Sequence, residues 1–234
     1  MSVILNIKDL SGGYQEDVDI LMGVSMDVQK GEAVGILGLN GSGKSTLGKA
    51  IMNMIPIRYG EVFFEGNNVS SLTTSQLSHC GISIMQQGGK VFKTLSVWDN
   101  LQLALSKQPK ETLDRLKSII PILQRPKRQL QRLMADKLSG GLKHQLSLAM
   151  TLSTNPRLVI LDEPSAGLSP IAVQELYEIL HDVRETFGIT IILIEQNIAS
   201  AIEFCDRLFL MEQGELKIQL DPNDKEQIDN IFFR

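Results

Sequence analysis

The segment Gly38-Leu39-Asn40-Gly41-Ser42-Gly43-Lys44-Ser45 constrains this chain more than any other. It directly follows the apolar burst AVGILG at 33–38 and opens a helical pattern over Ser45–Met54, stopped by Ile55-Pro56. This is the G-x-x-x-x-G-K-[ST] pattern in the strand–loop–helix setting that it requires. Its glycines let backbone N–H groups close around phosphate oxygens, and the helix N-terminus adds its positive end. Lys44 is expected to reach the β- and γ-phosphates and Ser45 to ligate Mg²⁺.

The rest of the chain supplies a setting for such a loop. Residues 3–7 and 18–28 alternate apolar and polar around the turn-rich SGGYQEDVD at 11–19, which predicts a small β region. EVFFEGNNV (61–69) reads as a strand and an Asn-containing turn, and GISIMQ (81–86) as a short buried strand. LVILDEP (158–164) and ITIILIE (189–195) are further buried strands, with an amphipathic helix over 171–187 between them. Strands alternating with helices predict a mostly parallel sheet. The middle reads as helical: Ser96-Val97-Trp98-Asp99 has the form of a capping box with Asp in the usual Glu position. From Lys107 to Lys143 there are ten basic residues against three acidic ones, read as a solvated helical surface. The end, from Leu208, reads as a last strand pair and a short acidic tail.

Composition removes several function classes. With 27 acidic and 23 basic residues the net charge is −4, which lacks the basic surplus of a nucleic-acid binder. Cys80 and Cys205 form no CxxC and read as free thiols of a reducing compartment. MSVILNIKDL carries Lys8 and Asp9 within its short apolar patch, so no signal peptide is expected. The longest apolar runs fall far short of the ~20 residues that a membrane-spanning helix needs, so a chain without a spanning segment is expected.

Two further motifs carry chemistry. The strand at 158–162 ends in Asp162-Glu163. Asp162 is placed to hold Mg²⁺, as the acid at the tip of the neighbouring strand does in phosphate-loop nucleotidases. Glu163 adds a carboxylate able to polarise an attacking water, so hydrolysis and not only binding is indicated. Leu138-Ser139-Gly140-Gly141 opens a helical stretch at 142–152, and its Ser139 lies 23 residues before Asp162. A glycine pair at a helix start is an anion-binding terminus.

The phosphate loop, LSGG and LVILDEP, in that order and spacing, resemble the ATP-binding-cassette ATPases over essentially the whole chain. Kinases and small GTPases share the loop but lack LSGG. The resemblance implies an α/β fold: a RecA-like phosphate-loop NTPase core, a small antiparallel β region and an inserted helical subdomain. It implies a single cassette over 1–234, with core and β region at about 1–87 and 151–234 and the signature-bearing helical segment at about 88–150. The bound species would be ATP with Mg²⁺. Gly38, Asn40, Gly41, Ser42, Gly43, Lys44, Ser45 and Thr46 would cradle the nucleotide, and Tyr14 would stack under adenine. Ser45, Asp162 and Gln87 would serve the metal; Glu163, Gln196, Gln87 and Lys44 would be catalytic. Gln86 is adjacent to Gln87, so the loop register is open there. Two cassettes of this family pair head to tail, so Ser139, Gly140 and Gly141 would contact the partner's ATP.

Glu195-Gln196-Asn197, where the family usually has histidine, and Ser165-Ala166-Gly167-Leu168-Ser169-Pro170 resemble the subgroup that imports branched-chain amino acids, urea and short amides. The chain is similar to the shorter of that subgroup's two ATPases. The implied partners are transmembrane permease subunits, a second cassette chain and an external solute-binding protein, with the chain peripheral on the cytoplasmic face of the membrane. A soluble, non-transport cassette of the iron–sulfur assembly type is the alternative. Two positions depart from the pattern. Leu142 follows LSGG where Gln or Glu is usual, and Gly89 stands where the subgroup often has Arg.

Overall fold

Three apolar runs form the centre of the molecule because each is buried on both faces. The computed structural model describes residues 2–15, 18–105 and 109–232. Glu16 and Asp17 of the turn-rich stretch and Lys107 of the basic stretch lie outside them. The chain begins with β1 (Val3–Gly12), β2 (Leu21–Gln29), β3 (Ala33–Leu37), α1 (Lys44–Ile51), β4 (Ile57–Phe64) and β5 (Asn67–Asn68). It continues through α2 (Thr74–Cys80), β6 (Ile82–Met85), α3 (Val97–Ala104), α4 (Lys110–Ile119), α5 (Lys127–Arg132) and α6 (Gly140–Leu152). Then come β7 (Leu158–Asp162), α7 (Pro170–Phe187), β8 (Thr190–Glu195) and α8 (Ile198–Phe204). The chain closes with β9 (Arg207–Glu212), β10 (Glu215–Leu220) and α9 (Lys225–Phe232).

The central sheet has the order β10-β9-β3-β8-β7-β6. Every residue of β3, β7 and β8 is buried, as expected of a parallel sheet with both faces covered. β9, β3, β8, β7 and β6 pair in parallel, and β10 is added antiparallel at the edge. A second, antiparallel sheet has the order β2-β1-β4-β5. One core cluster joins it, α1 and one face of the central sheet, through residues such as Leu5, Leu47 and Ile192. The other cluster joins the opposite face to α3, α6, α7 and α8, through Leu101, Leu146, Leu180 and Phe204. α1 closes on β7 and β8 at Gly48, where a Cβ would stand 2.9 Å from Ile194 Cδ1 and 3.2 Å from Ile160 Cγ2.

The α/β architecture and the parallel sheet follow the sequence reading, and several local expectations are corrected. β2 starts at Leu21, while Val18 makes an isolated bridge to Gln15. α1 ends at Ile51, and Asn53 turns the chain with φ 50°. At Ser96 only half of the capping box forms. Its hydroxyl accepts from Asp99 N at 3.1 Å and donates to Asp99 Oδ2 at 2.6 Å. A complete box stands instead at Thr73 and Gln76, where it starts the polar helix α2. α6 begins at Gly140, and the terminal tail forms α9. Among the described residues no helix is long and apolar enough to cross a membrane.

Candidate functional site

Parallel strands deliver their C-terminal ends to one edge of the sheet, the usual place for ligands in open α/β folds. Here β3 ends in the phosphate loop, β6 leads to Gln87, β7 ends in Asp162 and β8 in Glu195. Gly41 (φ 82°) and Gly43 (φ 107°) take the left-handed conformations that wrap the loop around its centre. Gly43 caps α1 with no side-chain hydrogen bond, leaving the helix's first N–H groups directed at the loop. Lys44, 4% exposed, folds back to donate to Gly38 O at 2.8 Å and Leu39 O at 2.9 Å. Burial lowers its pKa, opposed by the charges of Glu163, Asp162 and Glu195. Ser42 Oγ is buried with no hydrogen-bond partner among the described residues, and Thr46 is buried in the first turn of α1. A cavity of about 730 Å³ opens beside the loop, lined by Gly38 to Ser42, Gln196, Met211 and Glu212 among others.

Ser45 Oγ donates to Asp162 Oδ1 at 2.7 Å. Asp162 is 3% exposed, and burial raises its pKa, with the Ser45 hydrogen bond opposing and the Glu163 charge adding. One hydroxyl and one carboxylate are hard oxygen donors that suit Mg²⁺, which usually takes one or two carboxylates and completes its shell with phosphates and water. Among the described residues no group of three His, Cys, Asp or Glu forms a self-sufficient metal cage. The donor set therefore fits a metal that arrives with a phosphate ligand.

Glu163 sits at φ 47°, a left-handed conformation uncommon for a residue with a side chain. Its N–H donates to Ile194 O at 2.8 Å, which extends the β7–β8 ladder while the side chain turns out of the strand. Both carboxylate oxygens are held: Gln87 Nε2 donates to Oε2 and Gln196 Nε2 to Oε1, each at 2.5 Å. The structure thus gathers Glu163, Gln87 and Gln196 beside Lys44, Ser45 and Asp162. Gln87 faces this carboxylate, whereas Gln86 lines a groove on another face with Lys90, Ser147 and Thr151.

Other candidates lie apart. Tyr14 is 51% exposed, with Lys49 Nζ 5.4 Å from its ring centroid and 3.2 Å from its hydroxyl. Ser139 caps α6 by accepting from Leu142 N at 3.4 Å, and Ser139 and Gly140 are exposed. None of Ser139, Gly140 and Gly141 lines the phosphate-loop cavity. Leu142 is half-buried against the main core, and a Cβ at Gly89 would stand 3.2 Å from His144 N and Nδ1 on α6. Sequence reasoning missed Glu195 as a site residue. Its signal was a lone acid ending the apolar run ITIILIE.

Comparison with known proteins gives a consistent picture. The ABC transporter family model matches residues 21–166. The high-affinity branched-chain amino acid transport ATP-binding protein BraG of Pseudomonas aeruginosa is 33% identical over 207 residues, 87% of each chain. The lipopolysaccharide export system ATP-binding protein LptB of Escherichia coli K12 is 28% identical over 234 residues, 97% of this chain and 94% of that one. Among solved structures, cbiO1 from Clostridium perfringens, part of the ABC transporter complex cbiONQ, superposes with TM-score 0.84 and 27% identity. That match covers 100% of this chain and 96% of the other.

Proposed function

The chain belongs to the ABC transporter family and is an ATPase of that kind; we propose that it energises a membrane importer of branched-chain amino acids or related small polar or amide solutes. The observation that carries the catalytic reading is the pair of adjacent carboxylates, Asp162 against Ser45 and Glu163 between two glutamine amides, at the edge that holds the phosphate loop.

Hydrolysis proceeds by in-line attack of water on the γ-phosphorus, with cleavage of its bond to the ADP leaving oxygen. Glu163 orients that water and takes its proton; the carboxylate becomes available when Gln87 and Gln196 turn from it toward the γ-phosphate. Lys44 exchanges its two carbonyl acceptors for phosphate oxygens, and the loop N–H groups stabilise charge developing there. Ser45 and Asp162, with Gln87 beside them, would hold Mg²⁺, whose chemistry is to neutralise charge across the β- and γ-phosphates. Tyr14, released from Lys49, offers its ring face to adenine. Ser139 and Gly140, exposed, and the half-buried Gly141 lie away from this chain's own loop cavity and serve the nucleotide of a second cassette paired head to tail. The helix-bearing stretch 88–150 is the unit that presents them, and the loop after Gln87 faces permease subunits, with the chain peripheral on the cytoplasmic face of the membrane.

Substrate choice rests on the likeness to BraG and on the IEQN and SAGLSP strings. The likeness to LptB supports a second reading, an export subunit. Affinity purification of the tagged chain from native membranes in mild detergent, with co-purifying chains identified by mass spectrometry, tests both. A multi-span permease, a second cassette chain and an external binding protein are expected. Permease chains without a binding protein would favour export, and soluble partners alone would overturn transport in favour of an assembly ATPase.

A further inference from the structure

Glu195 is 2% exposed at the end of β8 and faces no cation in an ion pair among the described residues. A buried carboxylate is costly unless strong donors surround it. The hydrogen bonds it accepts come from backbone, and the buried Tyr177 hydroxyl lies beside it. Oε1 accepts from Ser165 N at 3.0 Å, and Oε2 accepts from Gln196 N at 3.0 Å and Asn197 N at 3.3 Å. One side chain therefore ties the loop after β7 to the loop after β8.

Those loops carry the two residues that meet at the reaction centre. Ser165 is two residues beyond Glu163, and Gln196 Nε2 donates to Glu163 Oε1 at 2.5 Å. The connections close a ring: Glu163 along the chain to Ser165, across to Glu195, along to Gln196, and back by its side chain to Glu163. Asn197 in turn caps α8 by accepting from Ser200 N at 3.2 Å, so the same carboxylate also sets where that helix begins. Without Glu195 the loops keep the Gln196 amide on Glu163 and the Glu163 N–H on Ile194 O, but Ser165 loses its tie to the loop after β8. With it, the backbone under Gln196 is coupled to the backbone that follows Glu163.

We propose that Glu195 is a positioning residue for ATP hydrolysis, fixing the loop of Gln196 to the loop of Glu163 by a carboxylate shared among three backbone N–H groups. This rests on the ATPase reading above. Glu195 acts through Gln196 and Glu163: it is buried, its hydrogen bonds go to backbone, and it does not line the cavity beside the phosphate loop. Removing it loosens the geometry of the water-orienting pair and leaves the phosphate cradle intact.

The test is a double-mutant cycle on the transporter complex purified through the tagged chain, measuring phosphate release and ATP affinity for Glu195→Ala, Gln196→Ala and the double variant. Glu195→Ala is expected to lower kcat roughly 10–100-fold, the scale of a misplaced reacting geometry, with ATP affinity within about threefold of wild type. The double variant is expected to fall no more than about threefold below Gln196→Ala, because a residue acting through Gln196 has nothing left to position. Glu195→Gln keeps one acceptor oxygen and is expected to lie between wild type and Glu195→Ala. It also decides the matter if the alanine variant does not fold. Multiplicative losses in the double variant, wild-type turnover in Glu195→Gln or Glu195→Ala, or unchanged turnover in Gln196→Ala would each overturn the proposal while leaving the ATPase reading intact. A wild-type complex that releases no phosphate would overturn the ATPase reading, and this proposal with it.

Discussion

The two ends of the central sheet handle charge in opposite ways. At the end where β3 and β9 begin, charges are paired. Arg207 donates to Glu32 Oε1 at 2.5 Å and to Asp27 O at 2.7 Å, and Arg184 pairs with Asp206 and reaches Gly31 O. Asp206 also accepts from Ala33 N at 2.8 Å, so these pairs pin the first residue of β3. At the other end, Asp162, Glu163 and Glu195 are all buried, and Lys44 is the one buried cation beside them among the described residues. Burial raises the pKa of Asp162 and lowers that of Lys44, so the surroundings disfavour the ionic form of each. One end is built for stability. The other concentrates buried charge that its surroundings disfavour, the familiar conflict between active-site chemistry and folding.

The largest expected effect breaks the chemical end alone. Glu163→Gln should reduce phosphate release by at least about 100-fold, the usual scale for a lost acid–base group, with ATP binding retained in equilibrium titration. Next, Gly140→Asp should cut turnover by about tenfold or more by placing a negative charge beside the partner cassette's phosphates. A Cβ at Gly140 meets Leu168 Cδ2 only at 3.4 Å, so the fold should tolerate it, and thermal unfolding should be nearly unchanged. At the opposite end, Arg207→Ala should destabilise by roughly 1–3 kcal/mol, because Glu32 loses its charge-assisted hydrogen bonds. Denaturant titration reads that loss, and turnover below the unfolding transition should stay at the wild-type level.

The contrast was partly legible in the sequence. The phosphate loop, the LVILDE strand and the buried run before Glu195 announced themselves because parallel strands buried on both faces read as unbroken apolar stretches. α2 escaped because TSQLSHC buries only Leu77, so no apolar period marks it. The T-x-x-Q cap that starts it stands in the sequence without the hydrophobic run that would give it weight. α9 was hidden in a polar tail. At the site, the resemblance put Gln87 and Gln196 near the γ-phosphate, and the structure adds that both amides hold Glu163. Glu195 stood out only as a lone acid ending an apolar run; the backbone N–H groups that bond it leave no trace in residue identity. The paired charges of the opposite end were equally silent, since Glu32 and Arg207 lie 175 residues apart.

The sharpest test of the two-ended account is thermal unfolding of wild type, Asp162→Asn and Arg207→Ala, each with and without Mg·ATP. Asp162 has a raised folded-state pKa, so its contribution to stability is present at low pH and lost as pH rises through that value. At neutral pH, Asp162→Asn should therefore raise the Tm of the nucleotide-free protein. The same variant should flatten the acid side of the stability profile and lose most of the Tm increase that Mg·ATP gives wild type. Arg207→Ala should lower the nucleotide-free Tm and keep the full Mg·ATP increase. An Asp162→Asn protein that is less stable than wild type without nucleotide, or that keeps the whole Mg·ATP shift, would contradict the account.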